Sequence, residues 1–286
     1  MITYSSDRNY ARVKEWTDVT DMAGFTSTLN PSEHVLTSVI AKYEMPTKVR
    51  CGLSNCKTPH FKGYVVVTKS GNVTNIGNHC GKKHFGLEFS AIAKTYEQGL
   101  REYEARDSIK EFKNKLSKER ERVTELRTSK GGTDEIYNKT RVLVTYGKGM
   151  PDELIDQIKT MVKSRNPKIA VNRRLTEAEI KDLEAIQNKK LPRPYYAEEK
   201  LGDLAGLSAL YKENDLREII VHDIEAGFKL LSELDEDTAT YKKLVEIANW
   251  CSSFETKIAK VESICKLSIP LFKLENLNLL KHLLNE

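Results

Sequence analysis

Between Phe85 and Leu126 the apolar residues Phe85, Phe89, Ile92, Tyr96, Leu100, Tyr103, Ile109, Phe112, Leu116, Val123 and Leu126 recur mostly at steps of three and four, with no proline in the stretch. That period marks one face of an α-helix and predicts a helix from about Gly81 to Arg127. Even about 40 helical residues make a rod of about 60 Å, and a rod of that length must pack on something. Just upstream the pattern changes. Gly63-Tyr64-Val65-Val66-Val67-Thr68 is rich in β-formers, Ser70-Gly71-Asn72 is turn material, and Val73-Thr74-Asn75-Ile76 returns as a second strand, which predicts a hairpin. Earlier still, Asn30-Pro31-Ser32-Glu33 reads as a helix start, and Val35, Leu36, Val39, Ile40 and Tyr43 follow at helical spacing until Pro46. A short helix around Tyr10 to Trp16 and an extended piece from Thr47 to Arg50 complete the N-terminal reading.

Downstream, Ser129-Lys130-Gly131-Gly132-Thr133 interrupts the long helix. Arg141 to Tyr146 suits a strand or a helix. Pro151-Asp152-Glu153 opens a helix to about Ser164, and Thr176-Glu177-Ala178-Glu179 is a capping box. Leu191 to Tyr196 is extended linker chemistry. From Leu201 onward the period is helical almost throughout, over Leu204 to Tyr211, Leu216 to Leu234, Tyr241 to Leu267 and Leu274 to Leu284, as in a bundle of three or four helices. The fold class is therefore mainly α: a small β-hairpin/helix module, a long coiled-coil-like helix and a C-terminal helical bundle. The segments fall at 1–45 (helical), 46–90 (the hairpin module), 91–128 (the long helix), 129–193 (a helical connector) and 194–286 (the bundle).

The hairpin module carries the chemistry. It holds three of the five cysteines, Cys51, Cys56 and Cys80, with His84 one helical turn beyond the last. Zn²⁺ takes four tetrahedral ligands from thiolate and imidazole, usually as two close pairs separated by a hairpin or loop. Cys51 and Cys56 form the first pair around Gly52-Leu53-Ser54-Asn55; Cys80 and His84, at i and i+4 of a helix, form the second. His60 is the alternative fourth ligand. No Asp or Glu lies between Cys51 and Gly86, so no local general base is present and the zinc is read as structural. The order of turn, hairpin and helix start, with the phrase Ile76-Gly77-Asn78-His79-Cys80-Gly81, resembles the treble-clef class of zinc modules over residues 46–90. The first pair departs from the commonest spacing by having four intervening residues. That resemblance implies zinc and no particular reaction.

Charge adds a candidate partner. The net charge is +5, but Cys51 to Met150 holds 19 Lys+Arg against 11 Asp+Glu, a balance of +8, and Leu201 to Trp250 holds 5 against 11, or −6. Lys57, Lys62, Lys82 and Lys83 surround the zinc module, and Lys163, Arg165, Lys168, Arg173 and Arg174 form a second basic cluster on connecting chain. Such clusters suit phosphates of DNA or RNA. Three function classes follow: a non-enzymatic zinc protein acting on nucleic acid or a nucleic-acid-processing complex; an adaptor or inhibitor, viral or host-defence related, engaging a protein through the long helix or the acidic bundle; and an enzyme with a scattered site. The long helix also offers a route to oligomers. No Gly-x-Ser-x-Gly, dinucleotide fingerprint or metalloprotease helix motif occurs, which favours the non-enzymatic readings. The absence of an apolar run near 18 residues or of a secretory leader, with an odd number of cysteines, sets the expectation of a reducing, cytoplasmic location and no membrane span.

Overall fold

The computed structural model describes residues 2–6, 9–13 and 15–284, and the chain is mainly α, with its sheet early in the sequence. It divides into two compact units. The first comprises Met1–Glu111 and Asp235–Asn249; the second comprises Phe112–Leu234 and Trp250–Glu286.

The first unit is built on a five-stranded antiparallel sheet of order β2-β1-β3-β4-β5. Its strands are β1 (Ile2–Ser6), β2 (Asn9–Val13), β3 (Leu36–Arg50), β4 (Pro59–Thr68) and β5 (Val73–Ile76), with a four-residue helix α1 (Thr17–Thr20) after β2. The hairpin expected over Gly63 to Ile76 is present as β4 and β5, paired from Tyr64↔Ile76 to Val67↔Val73. Both faces of the sheet are covered. Leu36, Val39, Tyr64, Val66 and Ile76 pack under Phe89, Ala93 and Tyr96, whereas Ala41, Tyr43, Val65 and Val73 pack with Val19, Trp16 and Phe25.

The helix expected from Asn30 to Tyr43 does not form: Leu36–Arg50 is the strand β3. Its hydrogen-bond register to β4 shifts between Leu36 and Ser38 and again between Val39 and Ala41. Each irregularity inserts a residue and resets the alternation of faces. Leu36 and Val39, three apart, are consequently both buried, and a bulged strand imitates a helical spacing. Beyond the second irregularity Ala41 and Tyr43, two apart, are buried together on the opposite face. Pro46, which cannot donate to a ladder, sits inside a third irregularity between Glu44 and Val49. Asn30, read as a helix start, instead closes a turn in which its side chain accepts from Ser32 N–H (3.1 Å) and donates to Glu33 (2.6 Å). The short helix expected around Tyr10 is likewise strand β2.

The long helix is α2 (Asn78–Thr128), 51 residues with a kink at Gly86, whose φ of 57° and ψ of −131° are not helical. In the second unit follow α3 (Thr133–Val144), α4 (Asp152–Ser164), β6 (Lys168–Arg174), α5 (Glu177–Gln187) and β7 (Tyr196–Asp203). Next come a π-helix (Glu218–Glu225), α6 (Ala226–Glu233), α7 (Tyr241–Ser268), which passes from the first unit into the second, and α8 (Leu274–Leu280). The capping box on α5 is present, with Thr176 and Glu179 exchanging hydrogen bonds. Arg141 to Val144 resolves as helix. The basic connecting chain is, in contrast, largely the strand β6, paired with β7, whereas residues 191–195 carry no helix or strand and lead into β7; Leu204 to Tyr211 holds a 3₁₀ turn in place of a full helix. In the core of this unit Phe112 packs edge to face on Trp250 and Phe254, and Phe228 packs edge to face on Trp250 and tilted on Phe254, at centroid separations of 5.1–5.8 Å.

Candidate metal centre

Three chain segments converge where the sheet meets the start of α2. Cys51 follows the last residue of β3, Cys56 lies in the loop before β4, and Cys80 lies in the first turn of α2. Their sulfurs are all within 4.8 Å of one another, and Cys56 Sγ is 3.1 Å from Cys80 Sγ. The three cysteines are thus close enough to hold a metal ion, and no other such His, Cys, Asp or Glu cluster occurs among the described residues.

Local backbone bonds explain the convergence. Cys51 N–H donates to Thr58 O (3.0 Å), closing the loop, and Gly52 N–H donates to Asn75 O (2.8 Å), tying it to β5. Leu29 and Ser54 exchange further bonds across it, Leu29 N–H to Gly52 O and Ser54 N–H to Leu29 O, both 2.9 Å. Leu53 is fully buried beneath, and Lys57, next to Cys56, takes a left-handed φ of 53° that turns the chain back into β4. Two glycines are required by close approach. A Cβ on Gly52 would stand 2.1 Å from Thr74 Oγ1, and one on Gly81 would stand 2.5 Å from the ring of Phe89. Neither fits without displacement.

Solvation differs across the cluster. Cys51 and Cys80 are 1% and 6% exposed, while Cys56 is half-buried. Burial, with neighbouring sulfur, pushes the Cys80 thiol up to about 12 and raises that of Cys51. Burial acts the same way on Cys56, but the Thr58 hydroxyl, 3.3 Å away, the Thr58 backbone and the other two thiols outweigh it and hold Cys56 at about 7. Burial thus opposes ionisation of Cys51 and Cys80, and a bound cation would favour it.

The two histidines differ. His60 is committed elsewhere: its Nε2 accepts from the Tyr43 hydroxyl (2.5 Å) and its Nδ1 donates to Thr58 O (3.1 Å). The tautomer follows from Thr58 O, a carbonyl that can only accept, so that Nδ1 carries the proton; Asn75 Nδ2 in turn donates to the Tyr43 oxygen at 3.2 Å and to Arg50 O at 2.9 Å. Tyr43 is 1% exposed and burial keeps its hydroxyl protonated. This chain of buried Tyr43, half-buried His60 and buried Asn75 props the base of the cysteine loop, and sequence spacing gave no sign of it. His84 is half-buried on α2, and its ring lies outside the group of mutually close ligand atoms.

The basic residues separate as well. Lys62 pairs with Glu44 at 2.8 Å, and Lys57 Nζ donates to Ser27 O. Arg165 pairs with Glu213, Lys168 with Glu198, and Arg173 with both Glu179 and Glu199, at 2.5–2.7 Å. On α2, Arg122 reaches Glu255 and Arg127 reaches Asp134 and Glu225, so that part of the helix spends its charge within the second unit. Lys82, Lys83, Lys163 and Arg174 are exposed. No described helix is long and apolar enough to cross a membrane. Over its whole length the chain matches no protein-family model, no curated protein and no solved structure.

Proposed function

We propose that this is a non-enzymatic binding protein built around a structural zinc, with nucleic acid as its partner. The observation that carries the zinc is the meeting of Cys51, Cys56 and Cys80 at the junction of sheet and long helix. Thiolate-rich sites select Zn²⁺ over harder cations. His84, one turn along α2 from Cys80, supplies the fourth ligand by a rotation of its side chain, completing a treble-clef arrangement. Such a site is worth on the order of 10–16 kcal/mol in small zinc-finger peptides.

Three thiolates leave the centre with a net negative charge, and Lys82 and Lys83 in the adjoining first turn, where no acid stands, balance it. They also remain exposed, and on this reading they contact phosphates, joined by Lys163 and Arg174. The ion pairs on Arg165, Lys168 and Arg173 favour the second reading, an adaptor that engages a protein, because they remove most of one basic cluster from phosphate contact.

Metal analysis of the purified protein tests the zinc, and an anisotropy titration against duplex DNA, single-stranded DNA and RNA at low and near-physiological salt tests the partner. The expected result is one zinc per chain and an affinity that falls steeply with salt. Reversing Lys82 and Lys83 to Glu should lower the salt slope by about 2. No binding at low salt overturns the nucleic-acid reading and leaves the adaptor.

A further inference from the structure

We propose that the metal centre is also an oxidative modification site, in which Cys56 is the sulfur that meets a hydroperoxide and Cys80 is the sulfur that resolves it into a disulfide. The inference rests on the zinc reading only for the release of metal; the sulfur chemistry stands on geometry.

Exposure selects the attacking residue. Cys51 and Cys80 are 1% and 6% exposed, whereas Cys56 is half-buried, between the exposed residues Asn55 and Lys57. A small oxidant reaches Cys56 first. Distance selects the resolving residue. Cys56 Sγ and Cys80 Sγ are 3.1 Å apart, so a bond of about 2.05 Å needs closure by only about 1 Å. Cys51 is held back as a bystander by its burial, 1% exposed, and by its own N–H, which is bonded to Thr58 O. The other cysteines belong to the second unit, Cys251 being buried and Cys265 half-buried on α7.

The Cys56 thiolate attacks one oxygen of the hydroperoxide. The O–O bond breaks, a sulfenic acid forms on Cys56, and the other oxygen leaves as water or an alcohol after taking a proton. The Cys80 sulfur then attacks the sulfenic sulfur; the S–S bond forms and hydroxide departs, taking a proton from solvent to leave as water. Two thiolates lose two electrons and the peroxide gains them. Two of the three thiolate ligands are thereby consumed, and the remaining donors cannot hold the ion. Because Cys56 lies in the β3–β4 loop and Cys80 on α2, the disulfide keeps loop and helix tied after the metal has left.

The test treats the full-length, zinc-replete protein with an equimolar amount of hydrogen peroxide, reads freed zinc with a chromogenic chelator, and maps disulfides by peptide mass spectrometry. The expected result is one zinc freed for each Cys56–Cys80 disulfide, with both restored by dithiothreitol and added zinc. In metal-free protein, limiting iodoacetamide should label Cys56 about tenfold faster than Cys51 or Cys80. Cys80→Ser should stop the reaction at a Cys56 sulfenic acid that dimedone traps. A dominant Cys51–Cys56 or Cys51–Cys80 disulfide, sulfinic acid without disulfide, or prior oxidation of Cys251 or Cys265 overturns the proposal. If metal analysis finds no zinc, the structural-zinc reading fails, and disulfide mapping on the same protein still decides this one.

Discussion

Gly81 and Phe89 should show a reversal of sign. An alanine at Gly81 is ordinarily favourable, since Gly in a helix interior costs roughly 0.5–1 kcal/mol relative to Ala. Here the added methyl would fall 2.5, 2.6 and 2.7 Å from three ring atoms of Phe89. That ring is fully buried and packs edge to face on Tyr64 at 5.6 Å, so it has nowhere to swing. Overpacking of this kind costs about 1–3 kcal/mol, which outweighs the propensity gain, and Gly81→Ala should destabilise the first unit by roughly 1–2 kcal/mol. Phe89→Ala alone should cost about 3–5 kcal/mol. In the double variant the obstructing ring is gone and only the propensity term remains, so adding Gly81→Ala to Phe89→Ala should stabilise, giving a coupling of about 1.5–3 kcal/mol. Urea unfolding of the four zinc-replete proteins measures the cycle, provided the m-values agree. If Gly81→Ala is equally destabilising in both backgrounds, within about 0.5 kcal/mol, the ring is not what reserves position 81 for glycine.

Other outcomes follow from the same contacts. Gly52→Ala, whose methyl would sit 2.1 Å from Thr74 Oγ1, should displace the cysteine loop and weaken zinc retention in a competition titration with a chelator, while the helical circular-dichroism signal stays. Stripping the metal should open Lys57 to Lys69 to trypsin with most helical signal intact; an unchanged digestion pattern there would argue against a metal role in holding the hairpin. Glu97 accepts from Lys42 (2.8 Å) and from the Tyr64 hydroxyl (2.6 Å), and these hold its carboxyl below the usual carboxylate range. Its contribution is therefore present above an ordinary carboxylate pKa of about 4.3 and is lost as pH falls below it. Glu97→Gln should flatten that part of the acid-unfolding curve, and an unaltered curve would show that the pair contributes nothing.

How far each feature could be read in advance depended on the range of the interactions behind it. The grouping of Cys51, Cys56 and Cys80 was legible because ligand spacing within a turn or a hairpin is local, and α2 because its apolar period runs on for eleven turns and more. β3 was not, since one bulge places Leu36 and Val39 on the same side and a second carries Ala41 and Tyr43 to the other, and nothing in the composition marks a bulge. β6 and β7 escaped because their side chains are mostly charged and exposed, with Ile169 the one fully buried residue of β6. The basic cluster looked free because the partners of its residues stand elsewhere in the chain: Glu213 is 48 positions from Arg165, and Glu198 and Glu199 come from the neighbouring strand.

The division into units also orders the events of synthesis. All three cysteines have left the ribosome once Cys80 has, whereas the first unit waits for Asp235–Asn249, about 169 residues later (249 less 80). At roughly 5–20 residues per second that interval is roughly 8–34 s. Throughout it the sheet, the cysteine loop and the opening turns of α2 exist without their last segment. A metal captured in that window would hold the incomplete unit together while the whole of α3 to α6 is made, so zinc supply during translation, more than zinc supply afterwards, would set the yield of folded protein.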